Sequence, residues 1–164
     1  GSWSGELAQM LGFSLPMMGG KGYSFIQKNY PEIKQATILT EQKVAVSPYG
    51  ETVRFGGTLE IAGTNQKVDM RRVKGIFESI HRYYPEFEAK FPQEQDIWKG
   101  LRPCSPDGLP YIGFAPNYSN VLVGTGHSMM GISLAPATGK LLAELHQQKD
   151  TTLEIGGFEV ARFN

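Results

Sequence analysis

A short apolar run, Val121-Leu122-Val123, leads into Gly124-Thr125-Gly126-His127-Ser128-Met129-Met130-Gly131-Ile132, and an amphipathic segment follows to about Leu145. This strand–turn–helix pattern constrains the chain more than any other stretch. Gly124, Gly126 and Gly131 let the backbone take a positive φ or approach a flat partner closely. A helix opening just after such a turn presents N–H groups without intrahelical acceptors and the positive end of its dipole. Such an end suits an anion or an electron-rich carbonyl. Three readings stay open from these residues: a phosphate cradle, the polar edge of a flavin ring, or an ordinary turn whose glycines serve packing.

The residues around it predict a mixed fold. Trp3, Leu7, Met10 and Leu11 recur at helical spacing, with Gly12 placed to stop a helix. Gly19-Gly20-Lys21-Gly22 lacks the P-loop spacing and reads as a flexible lead-in to a strand over 23–26. Residues 36–40 and 43–47 form a hairpin pattern, Pro48-Tyr49-Gly50-Glu51 a turn, and 52–61 a third strand with a break at Gly56-Gly57. Together these make an antiparallel meander. Asp69 caps a helix with apolar positions Val73, Ile76, Phe77, Ile80 and Tyr84, which Pro85 ends. His81 belongs on its surface. Further strands are expected over 95–101 and 110–113. Pro136 requires that the last helix start near Leu134 or kink, with Leu134, Leu141, Leu142 and Leu145 as its buried stripe. Phe158 and Phe163 are docking residues for the tail.

Composition narrows the function classes. At 164 residues, with 40% apolar and 20% charged, the chain is long enough for a real core and too apolar for disorder. Lys plus Arg equals Asp plus Glu at 16 each, which argues against a nucleic-acid surface. No apolar run is long enough to span a bilayer. His81, His127 and His146 are far apart and Cys104 is the single cysteine, so no metal site is expected. Cys104 is a thiol nucleophile or a small buried core residue. There is no dinucleotide fingerprint, because no glycine stands at 129. Arg102, between Leu101 and Pro103 after a Trp-containing run, is costly there unless paired. It either takes a two-point grip on a ligand carboxylate or pairs with Asp107 or another acid.

These residues carry a resemblance. Trp98-Lys99-Gly100-Leu101-Arg102-Pro103, Pro106-Asp107-Gly108-Leu109-Pro110-Tyr111-Ile112-Gly113, Gly124-Thr125-Gly126-His127 through Gly131, and Ala135-Pro136-Ala137-Thr138-Gly139 resemble the C-terminal part of FAD-dependent amino-acid oxidoreductases. That family includes D-amino-acid oxidase, glycine oxidase and bacterial D-amino-acid dehydrogenase. The dehydrogenase branch fits best, through Val53-Arg54-Phe55-Gly56-Gly57-Thr58-Leu59-Glu60 and Glu159-Val160-Ala161-Arg162-Phe163.

The resemblance implies an α+β fold: an antiparallel or mixed substrate-domain sheet with flanking helices, plus a C-terminal strand–turn–helix returning to a flavin-binding domain. Residues 1–14 would be a remnant of the flavin domain, 15–98 the substrate domain and 99–164 the returning segment. FAD is the implied cofactor, with its pyrophosphate held on an N-terminal part not in this sequence. Gly1, Ser2, Trp3, Gly126, His127, Ser128, Met129, Met130, Gly131 and Ile132 would contact it. Arg102 would anchor the substrate carboxylate, and Tyr23, Thr58 and Glu60 would approach the substrate. The implied reaction is hydride transfer from the Cα of a small amino acid, a D-amino acid, to flavin N5, in a cytoplasmic protein compatible with peripheral membrane contact. Met129 and Met130 depart from the smaller residues common in this turn, which leaves substrate size open. Two other readings remain: a non-enzymatic module that binds a carboxylate through Arg102, and a sarcosine-oxidase-like demethylating flavoenzyme.

Overall fold

The computed structural model describes residues 1–163. Its elements are α1 (Ser4–Met10), β1 (Met18–Lys28), β2 (Thr37–Leu39), β3 (Val44–Tyr49), β4 (Thr52–Ile61), α2 (Met70–Tyr83), β5 (Trp98–Cys104), β6 (Tyr111–Phe114), β7 (Leu122–Thr125) and α3 (Gly131–His146). One five-stranded sheet has the order β2-β3-β4-β1-β5, and β6 pairs with β7 in a second, two-stranded sheet. The architecture is α+β. By contact it divides into two compact units. The first holds Gly1–Gly20, Ile61–Thr64 and Leu101–Asn164, the second Lys21–Glu60 and Asn65–Gly100. No helix among the described residues is long and apolar enough to cross a membrane.

In the second unit the expected meander is present. β2 pairs antiparallel with β3, and β3 with β4, with Val46 opposite Phe55. Alternation turns Val44, Val46, Val53 and Phe55 to one face, where α2 covers them with Val73, Ile76 and Ile80. Phe87 meets Phe55 edge to face at 5.5 Å. Asp69 caps α2 by accepting the Arg71 N–H at 3.0 Å, and the helix ends before Pro85. Each sequence signal for this helix is expressed in the fold.

Several expectations are corrected. The supposed lead-in Gly19-Gly20-Lys21-Gly22 is the buried first half of β1, an interior strand between β4 and β5. Its glycines permit close backbone approach: a Cβ on Gly19 would sit 2.6 Å from the Gly63 carbonyl oxygen. Gly56-Gly57 does not break β4, which runs unbroken from Thr52 to Ile61; the left-handed residue is Thr58, with φ of 67°. Gly57 is needed because a Cβ there would lie 2.9 Å from the Lys43 carbonyl oxygen. The strand expected over 95–101 begins later. Gln93 and Asp96 close a capped 3-10 turn over Glu94–Asp96, and β5 then extends to Cys104. Pro103 is tolerated because β5 lies at the sheet edge. The last helix starts ahead of Leu134: α3 begins at Gly131 and carries Pro136 inside, so of the two expected arrangements it takes the one with proline within the helix. Leu134 is exposed, and the buried positions are Thr138 and Leu141. Cys104 is half-buried rather than a core residue.

Two glycines give opposite expectations for stability. Gly57→Ala forces a methyl against backbone and should lower unfolding free energy by about 1–3 kcal/mol. Gly75→Ala, on an exposed turn of α2 with open space around it, should raise it by about 0.5–1 kcal/mol. Equilibrium urea denaturation of the two variants, compared with wild type, checks both signs.

Candidate functional site

The C-terminal end of β5 organises the first unit. The Ser128 N–H donates to the Pro103 carbonyl at 2.9 Å, and Cys104 forms an isolated antiparallel bridge with His127. Cys104 Sγ lies 3.4 Å from Ser128 Oγ. On the same strand, Ser2 Oγ donates to the Leu101 carbonyl at 3.0 Å. Gly1 sits against the Pro103 ring so closely that a Cβ would come within 2.7 Å of it. Ser4 and Thr125 join their hydroxyls at 3.0 Å. Gly1 and Ser2, the strand bearing Arg102, and His127 and Ser128 of the turn after Gly126 therefore meet around Leu101–Cys104. Arg102 is half-buried on that strand.

The turn itself has the required conformation. Gly126 has φ of 82°, and a Cβ would lie 3.0 Å from the Tyr111 ring. Ser128 is also left-handed, at φ 51°. The Met130 N–H closes the turn on the His127 carbonyl at 2.9 Å, and α3 starts at the next residue. Its first N–H groups have no acceptor within the helix. Around them Met129 is 70% exposed, Ile132 94% and Met130 about half. Apolar side chains surrounding a positive helix end suit a flat ring with an electron-rich edge, so the residues present fit a flavin. His127 Nε2 lies 2.9 Å from Thr138 Oγ1 on α3. Burial pushes the His127 pKa down, which keeps the imidazole neutral at neutral pH.

Behind the turn stands a support that the sequence reading missed. Tyr111 is fully buried, donates its hydroxyl proton to the Pro16 carbonyl at 2.7 Å, and carries the Arg162 guanidinium 3.9 Å from its ring centre. Arg162 forks both carboxylate oxygens of Asp107, at 2.9 and 3.0 Å. The hydrogen bonds from Arg162 hold the Asp107 carboxyl well below the usual carboxylate range. Asp107 had stood as a candidate partner for Arg102; its carboxylate is engaged by Arg162. The sequence pointed to Arg162 through the resemblance of Glu159–Phe163 and through its place beside Phe163, which meets Tyr111 edge to face at 6.1 Å.

Tyr23, Thr58 and Glu60 belong to the second unit. Tyr23 is buried and donates its hydroxyl proton to Glu60, while the Asp69 N–H donates to the Tyr23 oxygen at 3.1 Å. Lys21, only 1% exposed, donates to Glu60 at 3.2 Å and to Asn65 Oδ1 and the Lys67 carbonyl, both at 2.8 Å. Burial, then Glu60, raises the Tyr23 pKa; the Tyr23 hydroxyl in turn lowers that of Glu60. Thr58 is half-buried two residues before Glu60 on β4. Lys21 was missed because its glycine neighbours suggested a loop. No cluster of metal-ligating side chains occurs among the described residues.

Comparison with known proteins gives three findings. A sequence model of the family described as "FAD dependent oxidoreductase" matches residues 1–145. A D-amino acid dehydrogenase of Bradyrhizobium diazoefficiens is 33% identical over 166 residues, covering 99% of this chain and 39% of that protein. The present chain thus spans about two fifths of that relative's length. Among solved structures, glycine oxidase from Geobacillus kaustophilus superposes with a TM-score of 0.82 at 26% identity, over 100% of this chain and 44% of that one. L-proline dehydrogenase from P. horikoshii has the same fold, with a TM-score of 0.81 at 20% identity over 99% and 45%.

The Asp107–Arg162 fork gives a pH dependence with a fixed sign. A carboxyl depressed in the folded state adds stability above its unfolded pKa and loses it as pH falls through the folded value. Asp107→Asn should therefore be less stable than wild type at neutral pH, and the gap should close as pH falls below about 4. Thermal melts across that range check it; a gap independent of pH would contradict the assignment.

Proposed function

The chain belongs to the family of FAD-dependent oxidoreductases, and from that premise we propose that it forms the substrate-anchoring, flavin-facing portion of an enzyme that oxidises a small D-amino acid. The observation that carries this reading is the Ser128–Pro103 hydrogen bond with its Cys104–His127 bridge, which seats the strand bearing Arg102 beside the turn that opens α3. When bound, the flavin supplies a hydride acceptor for the amino acid Cα–H, giving an imino acid that hydrolyses to a keto acid and ammonia.

The chain's own residues position and polarise. The planar Arg102 guanidinium would grip the substrate carboxylate at two points and so fix the direction in which Cα presents its hydrogen. The N–H groups that open α3 would stabilise negative charge on the cofactor's polar edge. Neutral His127, tied to Thr138, would hold the turn without adding a titrating charge to it. Met129, Met130 and Ile132 would cover the ring and keep water out. Gly1, Ser2 and Trp3 would border it from the other side of Leu101–Pro103. The pyrophosphate would be held by residues outside this sequence, since Gly124-Thr125-Gly126 lacks the third glycine of the fingerprint. In this reading residues 1–14 and 99–164 serve the flavin domain and 15–98 the substrate domain.

In the full-length protein, Arg102→Ala should lower kcat/KM for a D-amino acid by about 100-fold or more while the protein still purifies with its flavin. Arg102→Lys should recover little, because a point charge lacks the fork. Gly126→Ala should instead reduce flavin retention, by clashing with Tyr111 at a left-handed φ. Steady-state kinetics and flavin absorbance separate the two effects; wild-type turnover in Arg102→Ala would sink the assignment.

A further inference from the structure

The sheet face of the second unit opposite α2 bears Ser24, Ile26 and Arg54, because alternation sends Phe25, Val53 and Phe55 to the core. Over this face opens a cavity of about 850 Å³. Arg54 lies on its floor and is held in place twice. Its Nε–H donates to Ser24 Oγ at 3.0 Å, and Ser24 is itself 2% exposed. Its guanidinium stacks 5.1 Å from the Trp98 ring centre. Among the described residues its two terminal NH2 groups have no hydrogen-bond or ion-pair partner.

Lys28 and Lys90 also line the cavity, and neither forms an ion pair among the described residues. The one facing carboxylate is Asp96, which accepts the Gln93 N–H. The rim is already ordered, since Gln27 exchanges two hydrogen bonds with the backbone of Lys90, at 2.9 and 3.0 Å. Between the cations the wall is apolar: Ile26, Phe91 and Trp98, all exposed large hydrophobic side chains.

We propose that this cavity binds an amphipathic carboxylate, an acid group carried on a ring or hydrocarbon body. A guanidinium fixed through Nε and ring stacking, with its fork open, matches a planar two-oxygen acid. Three cations against one carboxylate set the sign of the ligand. The volume lies in the range of small-molecule sites, roughly 300–1,000 Å³, and the apolar wall between the cations matches a hydrocarbon part. Nothing in this inference depends on Arg102 or on the flavin.

The test uses the full-length holoprotein carrying Arg102→Ala, which removes the other proposed carboxylate anchor. Calorimetric titration with 4-phenylbutyrate should show saturable binding. Adding Arg54→Gln should weaken it by about tenfold or more, and the uncharged amide of the same acid should bind correspondingly more weakly. Lys90→Glu, an exposed change that leaves the fold intact, should also weaken it. Equal binding of the amide, no saturable binding of the acid, or affinity unchanged in both Arg54→Gln and Lys90→Glu would overturn the proposal. So would sedimentation with phosphatidylglycerol vesicles in the absence of acid binding, which would assign the same cations and apolar side chains to a lipid surface.

Discussion

The ladder between the end of β5 and the turn after Gly126 is the constraint on which the first unit depends. One hydrogen bond, from Ser128 N–H to the Pro103 carbonyl, and one isolated bridge hold two segments far apart in sequence in fixed register. Proline contributes here by what it lacks. Without an N–H it cannot continue a sheet outward, yet its carbonyl still accepts, so β5 ends as an edge while remaining tied to the turn. Ser2 and Gly1 pack on the same three residues. A shift of that register by one residue would turn the Arg102 side chain to the other face. The proposed carboxylate anchor is thus set by backbone pairing, with side-chain contacts second.

The second unit is held by a different kind of interaction. Lys21 carries a charge in a nearly dry place, which is tolerated because Glu60, Asn65 and the Lys67 carbonyl all accept from it. Removing one partner of such a pair strands the other, at a cost of about 3–5 kcal/mol. The location gives the cluster its meaning. Lys21 lies on β1, Glu60 on β4 and Asn65 in the segment that leads to α2. One ammonium therefore gathers three chain passages, and Tyr23 links the same carboxylate to the start of α2 through the Asp69 N–H. Tyr23 and Glu60, expected from the resemblance to approach substrate, are engaged with each other in this cluster.

How much of this was legible in the sequence follows from how local each signal is. The hairpin, the Asp69 cap and the Val73-Ile76-Ile80 stripe depend on neighbours within a few residues, and they were read correctly. Gly12 stops α1 at a positive φ, again a local effect. Most of the failures involve distant partners. Gly19 and Gly57 read as breaks because strands avoid glycine, but here other backbones approach where a Cβ would be. Lys21 looked like loop because its three acceptors lie some forty residues away. Leu134 shares the helix face of Thr138 and Leu141, yet in the first turns of α3 it stays exposed. In the candidate site, Arg102 and the glycine turn were legible as chemistry; the Asp107–Arg162–Tyr111 support needed coordinates, because nothing in the sequence pairs residues so far apart.

The charge around the turn explains why a helix end rather than a side chain is placed there. His127 is the one ionisable residue inside the turn, and burial disfavours its charged form. Asp107, nearby in the first unit, is neutralised by Arg162 through a two-point fork. With these two groups fixed in state near neutral pH, the oriented backbone dipoles of α3 contribute a positive potential at the turn that does not titrate. A redox ring whose reduced form gains negative charge would meet the same field across the physiological pH range. A lysine or a protonated histidine in that place would add a pH-dependent term and would also be free to pair with the substrate acid. By leaving the field to the amides of α3 and the carboxylate to Arg102, the fold keeps the two anionic groups it is proposed to hold from competing for one cation.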